Sequence, residues 1–237
     1  MKDHHYAWFI WASAFLIPWG VLFAFNRPLR RIMWWTSLAT MVTGFTEPLF
    51  VPKYWNPPSL FDLAQRTGFD IESFIFAFAV GGIGAVLYTT LRRQTLLPVL
   101  STERARSRHR FHRMSLLVPY VAFILIDLAP GNPIYAAIAA LFIGAITSAA
   151  CRPDLARKML GGGVLFLGLY SAFIFGLRIL APGYIVQVWN LAALRGGLVG
   201  GVPMEELLFG LAFGMYWTSV YEHFTWHGTA RPAIAHA

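Results

Sequence analysis

Two adjacent glutamates, Glu205 and Glu206, stand where an apolar run over residues 207–224 begins. Pro203 and the glycines before it are typical of a helix start, where acidic side chains suit the helix dipole. On that interpretation, the two carboxyl groups only stabilise the end of a helix. However, placing a carboxyl group at the edge of the hydrocarbon core of a membrane costs free energy, and in membrane proteins such groups usually have a functional role. We therefore consider both glutamates as candidates for moving protons.

An earlier stretch of the chain repeats part of this pattern. Glu72 is followed four residues later by Phe76, and both precede a long apolar run. Glu205 and Phe209 have the same spacing at the start of their own apolar run. A motif that recurs at matching places suggests a duplicated architecture.

The composition indicates an integral membrane protein. Of 237 residues, 57% are hydrophobic and only 13% are charged, and the mean hydropathy is +0.56. Ordinary globular domains carry roughly 25% charged residues, and several runs here approach the roughly 20 apolar residues that span a bilayer. The first run lacks a preceding basic region and a small-residue cleavage site, so we predict a retained helix instead of a signal peptide.

The apolar runs predict an all-α integral membrane protein with about seven transmembrane helices. They occupy residues 6–25, 32–50, 70–91, 115–129, 133–151, 159–180 and 203–224. Basic residues set the orientation, because cytoplasmic loops carry an excess of Lys and Arg. All but five of the 19 lie in the alternate loops and the C-terminal tail that would share one side, Arg231 among them. The five on the other side are Lys2, Lys53, Arg66, Arg178 and Arg195.

This charge asymmetry predicts an N-terminus outside and a C-terminus in the cytoplasm. The predicted location is the bacterial plasma membrane. The net charge of +8 is then explained by topology and by contact with anionic lipids. We expect no nucleic-acid partner.

Most acidic side chains fall on the predicted outer side or at outer helix ends. They are Glu47, Asp62, Asp70, Glu72, Asp127, Glu205 and Glu206. They come from four different segments and could converge at one depth, with Arg178 as a candidate counter-ion; the sequence leaves their convergence open. If they converge, repulsion between neighbouring carboxylates and the loss of their hydration would keep some of these carboxyl groups protonated near neutral pH.

Three landmarks recur in the same order in the two halves: an Arg-Pro pair, a Trp-Asn pair and the glutamate motif. Trp55 precedes Glu72 at nearly the distance by which Trp189 precedes Glu205. Segments one to three therefore match segments five to seven, and a single spacer helix between them predicts two parallel three-helix repeats. The predicted domains are a first repeat over 1–94, a basic cytoplasmic loop with the spacer helix over 95–131, and a second repeat over 132–237.

The stretch Pro203-Met204-Glu205-Glu206, followed by an apolar helix, resembles the Pro-x-Glu-Glu signature of the lycopene cyclase domain. That domain occurs in heterodimeric bacterial, fused archaeal and fungal membrane carotenoid cyclases. Residues 45–58, which read FTEPLFVPKYWNPP, are also similar to that family. The resemblance covers essentially the whole chain as two domain copies in one polypeptide. It departs at Asp70-Ile71-Glu72-Ser73, which lacks the proline and the second glutamate.

The resemblance implies a lycopene β-cyclase type of enzyme, an intramolecular lyase or isomerase in carotenoid biosynthesis. Such an enzyme converts linear ψ end groups to β-type rings by redox-neutral acid catalysis. Protonation of a terminal C=C bond requires a protonated carboxyl in a dry site, and the resulting cation requires negative potential or aromatic faces. Because a C40 polyene is about as long as the hydrocarbon core is thick, an intramembrane groove is the expected binding site.

We predict that Glu205 is the proton donor, because it aligns with Glu72, and that Glu206 is its partner with the opposite acid–base role. The predicted catalytic carboxyls are thus Glu205, Glu206, Glu72, Glu47 and Asp127. The predicted substrate-binding residues are Trp55, Trp189, Phe76, Phe209 and Tyr54. For the two tryptophans, anchoring at the membrane interface is the alternative.

Two other functions stay open. A carotenoid hydratase would capture the same carbocation with water. A non-enzymatic carotenoid-binding or proton-coupled membrane scaffold would use the carboxyls as a proton relay. The expected partners are a lipid-soluble carotenoid and membrane lipids, and self-association into a homo-oligomer stays open.

We predict no cofactor, because nothing in the chain resembles a dinucleotide-binding fold. We also predict no metal site. A single cysteine, Cys151, argues against a Cys-based zinc site. His223 and His227, four residues apart, are too few for a membrane di-iron centre.

Overall fold

The computed structural model describes residues 4–230, and in these the protein is mostly helical. The predicted charge positions Lys2 and Arg231 lie outside the described residues, as do the outer ends of the first and last predicted domains. The helices are α1 (Ala7–Ala14), α2 (Leu16–Phe25), α3 (Arg30–Met41), α4 (Glu47–Phe50), α5 (Leu63–Thr67), α6 (Ile71–Leu91), α7 (Ser101–Arg104), α8 (His112–Asp127), α9 (Pro133–Cys151), α10 (Ala156–Leu180), α11 (Tyr184–Val188) and α12 (Met204–Thr225). The strands are β1 (Thr95–Pro98), β2 (Leu198–Val199), β3 (Val202–Pro203) and β4 (His227–Ala230).

Within residues 4–230, four helical stretches are long and apolar enough to cross a membrane: Ala7–Phe25, Ile71–Leu91, Pro133–Cys151 and Pro153–Leu180. They correspond to predicted segments one, three, five and six. Helices α3, α8 and α12 lie at the other three segments. The first two are shorter than the roughly 20 residues of a straight span, and α12 carries three glutamates. The mostly helical fold is confirmed, whereas the count of seven spanning helices stays a prediction.

Small residues let the helices of the core approach closely. A Cβ atom on Gly162 of α10 would lie 2.2 Å from Oγ1 of Thr218 in α12. One on Gly81 of α6 would lie 2.0 Å from Oγ1 of Thr40 in α3. Thr218 also donates a hydrogen bond to the carbonyl oxygen of Gly84 at 3.0 Å, which joins α12 to α6. Such contacts are typical of helix interfaces in membranes, and here they pack the two helices that carry the glutamate motifs side by side.

A tight hairpin leads directly into α12. Strands β2 and β3 pair antiparallel, and the two residues between them are Gly200 and Gly201, with φ angles of 56° and 81°. Positive φ at both central positions of a two-residue hairpin favours glycine, because a Cβ atom is strained there. The hairpin therefore fixes the position at which the helix of Glu205 and Glu206 begins. This sheet and the β1–β4 pair are local additions that the helical pattern did not predict.

The two Trp-Asn landmarks contact each other. The backbone amide of Asn56 donates to the carbonyl oxygen of Val188 at 2.8 Å, and the backbone amide of Asn190 donates to the carbonyl oxygen of Tyr54 at 2.9 Å. Trp55 and Trp189 thus form an antiparallel bridge, with ring centroids 5.3 Å apart. Equivalent positions of the two predicted repeats face each other at this bridge, while the overall layout of the repeats and the domain boundaries stay predictions.

Candidate active site

A cavity of about 510 Å³ lies among α1, α6, α8, α9, α10 and α12. Its volume is in the range of sites for small organic ligands. The lining is dominated by aromatic and aliphatic side chains. Among the described residues, Glu47 and Glu206 are the acidic side chains that line it. The cavity therefore combines an apolar interior with two carboxyl groups.

Glu206 is buried and accepts hydrogen bonds at both carboxyl oxygens. Its Oε1 accepts from the hydroxyl of Tyr54 and from Nε1 of Trp189, the latter at 2.8 Å. Its Oε2 accepts from the hydroxyl of Tyr170. These partners come from the loop before α5, the loop before α12 and helix α10, so the orientation of the carboxyl group is fixed by three separate parts of the chain.

All five predicted substrate-binding residues line the cavity: Trp55, Trp189, Phe76, Phe209 and Tyr54. Their roles remain predictions, but the structure brings the five side chains together. Tyr170 lies among them, with its ring centroid 6.3 Å from that of Phe76 and 6.0 Å from that of Phe209. Aromatic rings thus surround the space next to Glu206.

Glu47 approaches the cavity from the first half of the chain. It is the first residue of α4 and is buried. Its Oε1 has no hydrogen-bond partner among the described residues. The two acidic side chains of the cavity therefore differ: Glu206 has donors at both oxygens, and Glu47 has an oxygen with none.

Glu205 and Glu72 are buried but face away from the cavity, towards the loops that precede their helices. Oε1 of Glu205 accepts from the Tyr135 hydroxyl at 2.5 Å and from the amide of Gly196 at 2.8 Å. Oε1 of Glu72 accepts from the amide of Leu60 at 2.6 Å. Both glutamates are the second residue of their helix, α12 and α6. Glu72 and Glu205, which the sequence motif aligns, thus occupy the same position in their helices, and each accepts a hydrogen bond from a backbone amide of a preceding loop.

The other predicted acids, Asp62, Asp70 and Asp127, do not line the cavity. Asp70 is buried next to Glu72, where it caps α6 by accepting from the backbone amide of Ser73 at 2.5 Å. Asp127 is the last residue of α8, is half-buried and does not line the cavity. Arg178 is exposed beside the hairpin, where its Nε would lie 2.5 Å from a Cβ atom on Gly201. Across residues 4–230, none of the ion pairs includes Arg178. A single converged cluster with an arginine counter-ion is therefore not what the structure forms.

The sequence analysis missed Tyr170 and Tyr135, the hydroxyl donors to Glu206 and Glu205. Both lie within apolar runs, where the position of a tyrosine in the sequence does not distinguish a hydrogen-bond donor from a residue that only packs in the core. The sequence therefore carried no signal that separates them from packing residues.

A second polar cluster lies outside the cavity, where the basic loop meets the ends of α8 and α9. It contains His109, His112 and Cys151, all buried. The sequence analysis argued against a cysteine-based metal site because it counted one cysteine and did not pair it with these histidines. In the same loop, the hydrogen bond from Arg108 lowers the pKa of the Glu103 carboxyl below its usual range.

A family model described as lycopene cyclase matches residues 132–224. The matched region contains Glu205, Glu206, Trp189 and Phe209 and ends one residue before α12 does. It supports the lycopene cyclase family for this part of the chain. A second domain copy in the first half is not part of that match. No curated protein and no solved structure matches the chain.

Proposed function

We propose that this protein is a carotenoid cyclase that converts ψ end groups of lycopene or a related carotenoid to β-type rings. The observation that carries the proposal is the position of Glu206. Its carboxyl group faces an aromatic cavity, and the residue lies within the region that matches the lycopene cyclase family. Cyclisation needs a proton donor, a proton acceptor and a dry aromatic space, and the cavity offers all three.

In this proposal the Glu206 carboxylate supplies the negative charge that faces the cavity. Tyr54, Tyr170 and Trp189 all donate to its oxygens. A fixed acceptor surrounded by donors needs little reorganisation when positive charge develops beside it. Glu206 would therefore stabilise the tertiary carbocation and then take the proton that leaves the new ring.

Glu47 is the proposed proton donor. A neutral carboxylic acid costs less than an unpaired charge in an apolar cavity, and Oε1 of Glu47 has no hydrogen-bond partner among the described residues. Its proton would add to the terminal C=C bond, the internal C=C bond would attack the cation to close the ring, and Glu206 would remove a ring proton. The substrate gains and loses one proton, so its mass and oxidation state do not change. This differs from the sequence-based prediction, which assigned donation to Glu205.

We expect Glu47→Gln to lower the turnover number by roughly 100-fold or more, the contribution typical of a general acid. Thr46→Ser is a control at the neighbouring position, because Thr46 also lines the cavity but carries no acidic proton. Turnover of Glu47→Gln within a few-fold of the native protein would remove Glu47 from the role of donor.

The rings around the cavity are the proposed stabilisers of the cation. Aromatic faces attract positive charge, and the attraction is stronger where water is excluded. Trp55, Trp189, Phe76 and Tyr170 all line the space that Glu206 faces. The mostly apolar lining offers water few hydrogen-bonding partners, which disfavours capture of water by the cation and formation of a hydrated product.

The substrate would enter from the membrane between α4 and α8. Leu49, Tyr120 and Ile124 line the cavity, yet they are 38%, 48% and 60% exposed, so the cavity reaches the apolar surface there. A lipid-soluble polyene could insert one end group through this opening while the rest of the chain stays in the lipid. Two end groups would then react in two successive binding events.

Expression in a host that accumulates lycopene tests the function. Chromatography with mass detection should show a pigment with the mass of lycopene and a spectrum shifted to shorter wavelength, and the Glu206→Gln variant should leave lycopene unchanged. A product heavier by one water would identify a hydratase instead. Unchanged lycopene and unchanged ψ-ended carotenoids with native protein in the membrane would favour a non-enzymatic scaffold.

A further inference from the structure

We propose that His109, His112 and Cys151 form a binding site for a divalent transition-metal ion, for which zinc is the best match. The Sγ atom of Cys151 lies 3.4 Å from Nδ1 of His112 and 3.5 Å from Nδ1 of His109. Zinc bonds of about 2.3 Å to sulfur and 2.0–2.1 Å to nitrogen imply a separation of roughly 3.6 Å between sulfur and nitrogen ligands in tetrahedral geometry. The two observed separations are close to this value.

The other nitrogen of each histidine has the kind of partner that is typical behind a metal ligand. Nε2 of His112 lies 2.7 Å from the carbonyl oxygen of His223. A carbonyl oxygen can only accept, so Nε2 carries the proton and Nδ1 presents its lone pair to Cys151. Nε2 of His109 lies 3.4 Å from the Glu103 carboxylate, which would accept its proton when Nδ1 binds a metal; without a metal, Nε2 can instead accept from Nε of Arg108 at 3.4 Å. Carbonyl and carboxylate acceptors commonly orient metal-bound histidines in this way.

Both Nδ1 atoms face the sulfur of Cys151, so the three potential ligand atoms surround one point. All three side chains are buried. A metal ion at the centre of the three atoms would satisfy the thiolate and both nitrogens together. Nitrogen and sulfur ligands favour zinc over magnesium or calcium.

The site would connect the basic loop and the start of α8 with the end of α9, which lies 42 and 39 residues further along the chain than the two histidines. His109 ends a 3₁₀ turn in the basic loop, His112 begins α8, and Cys151 ends α9. None of the three lines the cavity. A bound ion would therefore hold the arginine-rich loop against the helix ends, and this role is independent of the proposed cyclase chemistry. Three protein ligands leave a fourth position for water.

Metal analysis of the purified native chain tests this proposal. The protein would be prepared without a polyhistidine tag, dialysed against buffer with trace zinc, and analysed by inductively coupled plasma mass spectrometry. We expect a single zinc ion per chain. Exchange for Co²⁺ should give a near-ultraviolet charge-transfer band, which reports a thiolate bound directly to the metal.

Two substitutions and a matched control make the test specific. Cys151→Ser should remove the cobalt charge-transfer band, and His112→Gln should lower bound zinc at least tenfold. His227→Gln should leave both unchanged, because His227 lies nearby but bonds to Thr225 outside the cluster. Bound metal below the background of the dialysis buffer in the native protein would overturn the proposal without any variant. So would Cys151→Ser and His112→Gln variants that bind zinc and cobalt as the native protein does.

Discussion

The pair of variants Glu206→Gln and Glu205→Gln separates the two adjacent carboxyl groups by function. The substitution is the same, the helix is the same, and both side chains are buried. Only Glu206 lines the cavity, whereas Glu205 bonds to the loop before α12. We therefore expect Glu206→Gln to lose turnover and Glu205→Gln to lose mainly stability.

The expected magnitudes follow from the contacts. Acid–base groups contribute roughly 10²–10⁴-fold to rate, so the turnover number of Glu206→Gln should fall by about that factor. Hydrogen bonds to a charged group contribute about 1 kcal/mol more than neutral ones. The three donors to Glu206 thus imply a loss of at most about 3 kcal/mol in the free energy of unfolding. The amide nitrogen of Gln can still donate to the Tyr170 hydroxyl, so the variant should fold.

The assay is conversion of lycopene in proteoliposomes, with thermal unfolding measured on the same preparations. Glu205→Gln should keep turnover within about tenfold of the native protein, because its partners are the Tyr135 hydroxyl and backbone amides. If Glu206→Gln kept near-native turnover while Glu205→Gln lost it, the geometric reasoning would be refuted. The role of proton donor or acceptor would then return to Glu205, as the sequence-based prediction has it.

Two further predictions concern access and packing. Ile124→Trp should raise the KM for lycopene several-fold, because the larger side chain would narrow the opening between α4 and α8. Leu125→Trp is the control, since Leu125 is similarly exposed but does not line the cavity, and its KM should not change. Equal KM values for the two variants would exclude this entry route. Gly162→Ala should cost about 1–3 kcal/mol of stability by overpacking against Thr218 and lower the melting temperature in detergent. Gly168→Ala is the control, because a Cβ atom there meets nothing within 4 Å, and an equal loss in both would contradict the close packing of α10 and α12.

The aromatic lining of the site could be anticipated from sequence because repetition singled it out. Trp55 and Trp189 stood before the two glutamate motifs, and the structure brings them into contact beside the cavity. Phe76 and Phe209 were found in the same way, since each follows its glutamate by one helical turn. Internal repetition thus indicated which of many aromatic residues share one place.

The orientation of individual side chains could not be anticipated. Successive residues of an α-helix point about 100° apart, so Glu205 and Glu206 face different surroundings. Their spacing from Trp189 does not say which one faces the cavity. The alignment of Glu72 with Glu205 was informative about position, but both residues bond to preceding loops.

Long-range convergence was equally hidden. Cys151 lies 39 residues from His112 and 42 from His109 along the chain. His109 and His112 are three residues apart, a spacing found in short metal-binding motifs, but the distant Cys151 belongs to no local pattern with them. The sequence left open whether the acids of four segments converge, because a shared depth does not determine the direction in which each side chain points. In the structure Glu47 and Glu206 line the cavity, whereas Asp127 does not.

Cyclisation in D₂O tests the central claim most directly. Carboxyl protons exchange with solvent, so an acid-catalysed, redox-neutral cyclisation must place one solvent deuteron in each ring while another hydrogen leaves. Purified protein in liposomes equilibrated with D₂O should yield a cyclic pigment heavier than lycopene by one mass unit per ring. The same product made in H₂O should have the mass of lycopene. A cyclic product without deuterium, or lycopene left unchanged by folded protein, would contradict the account.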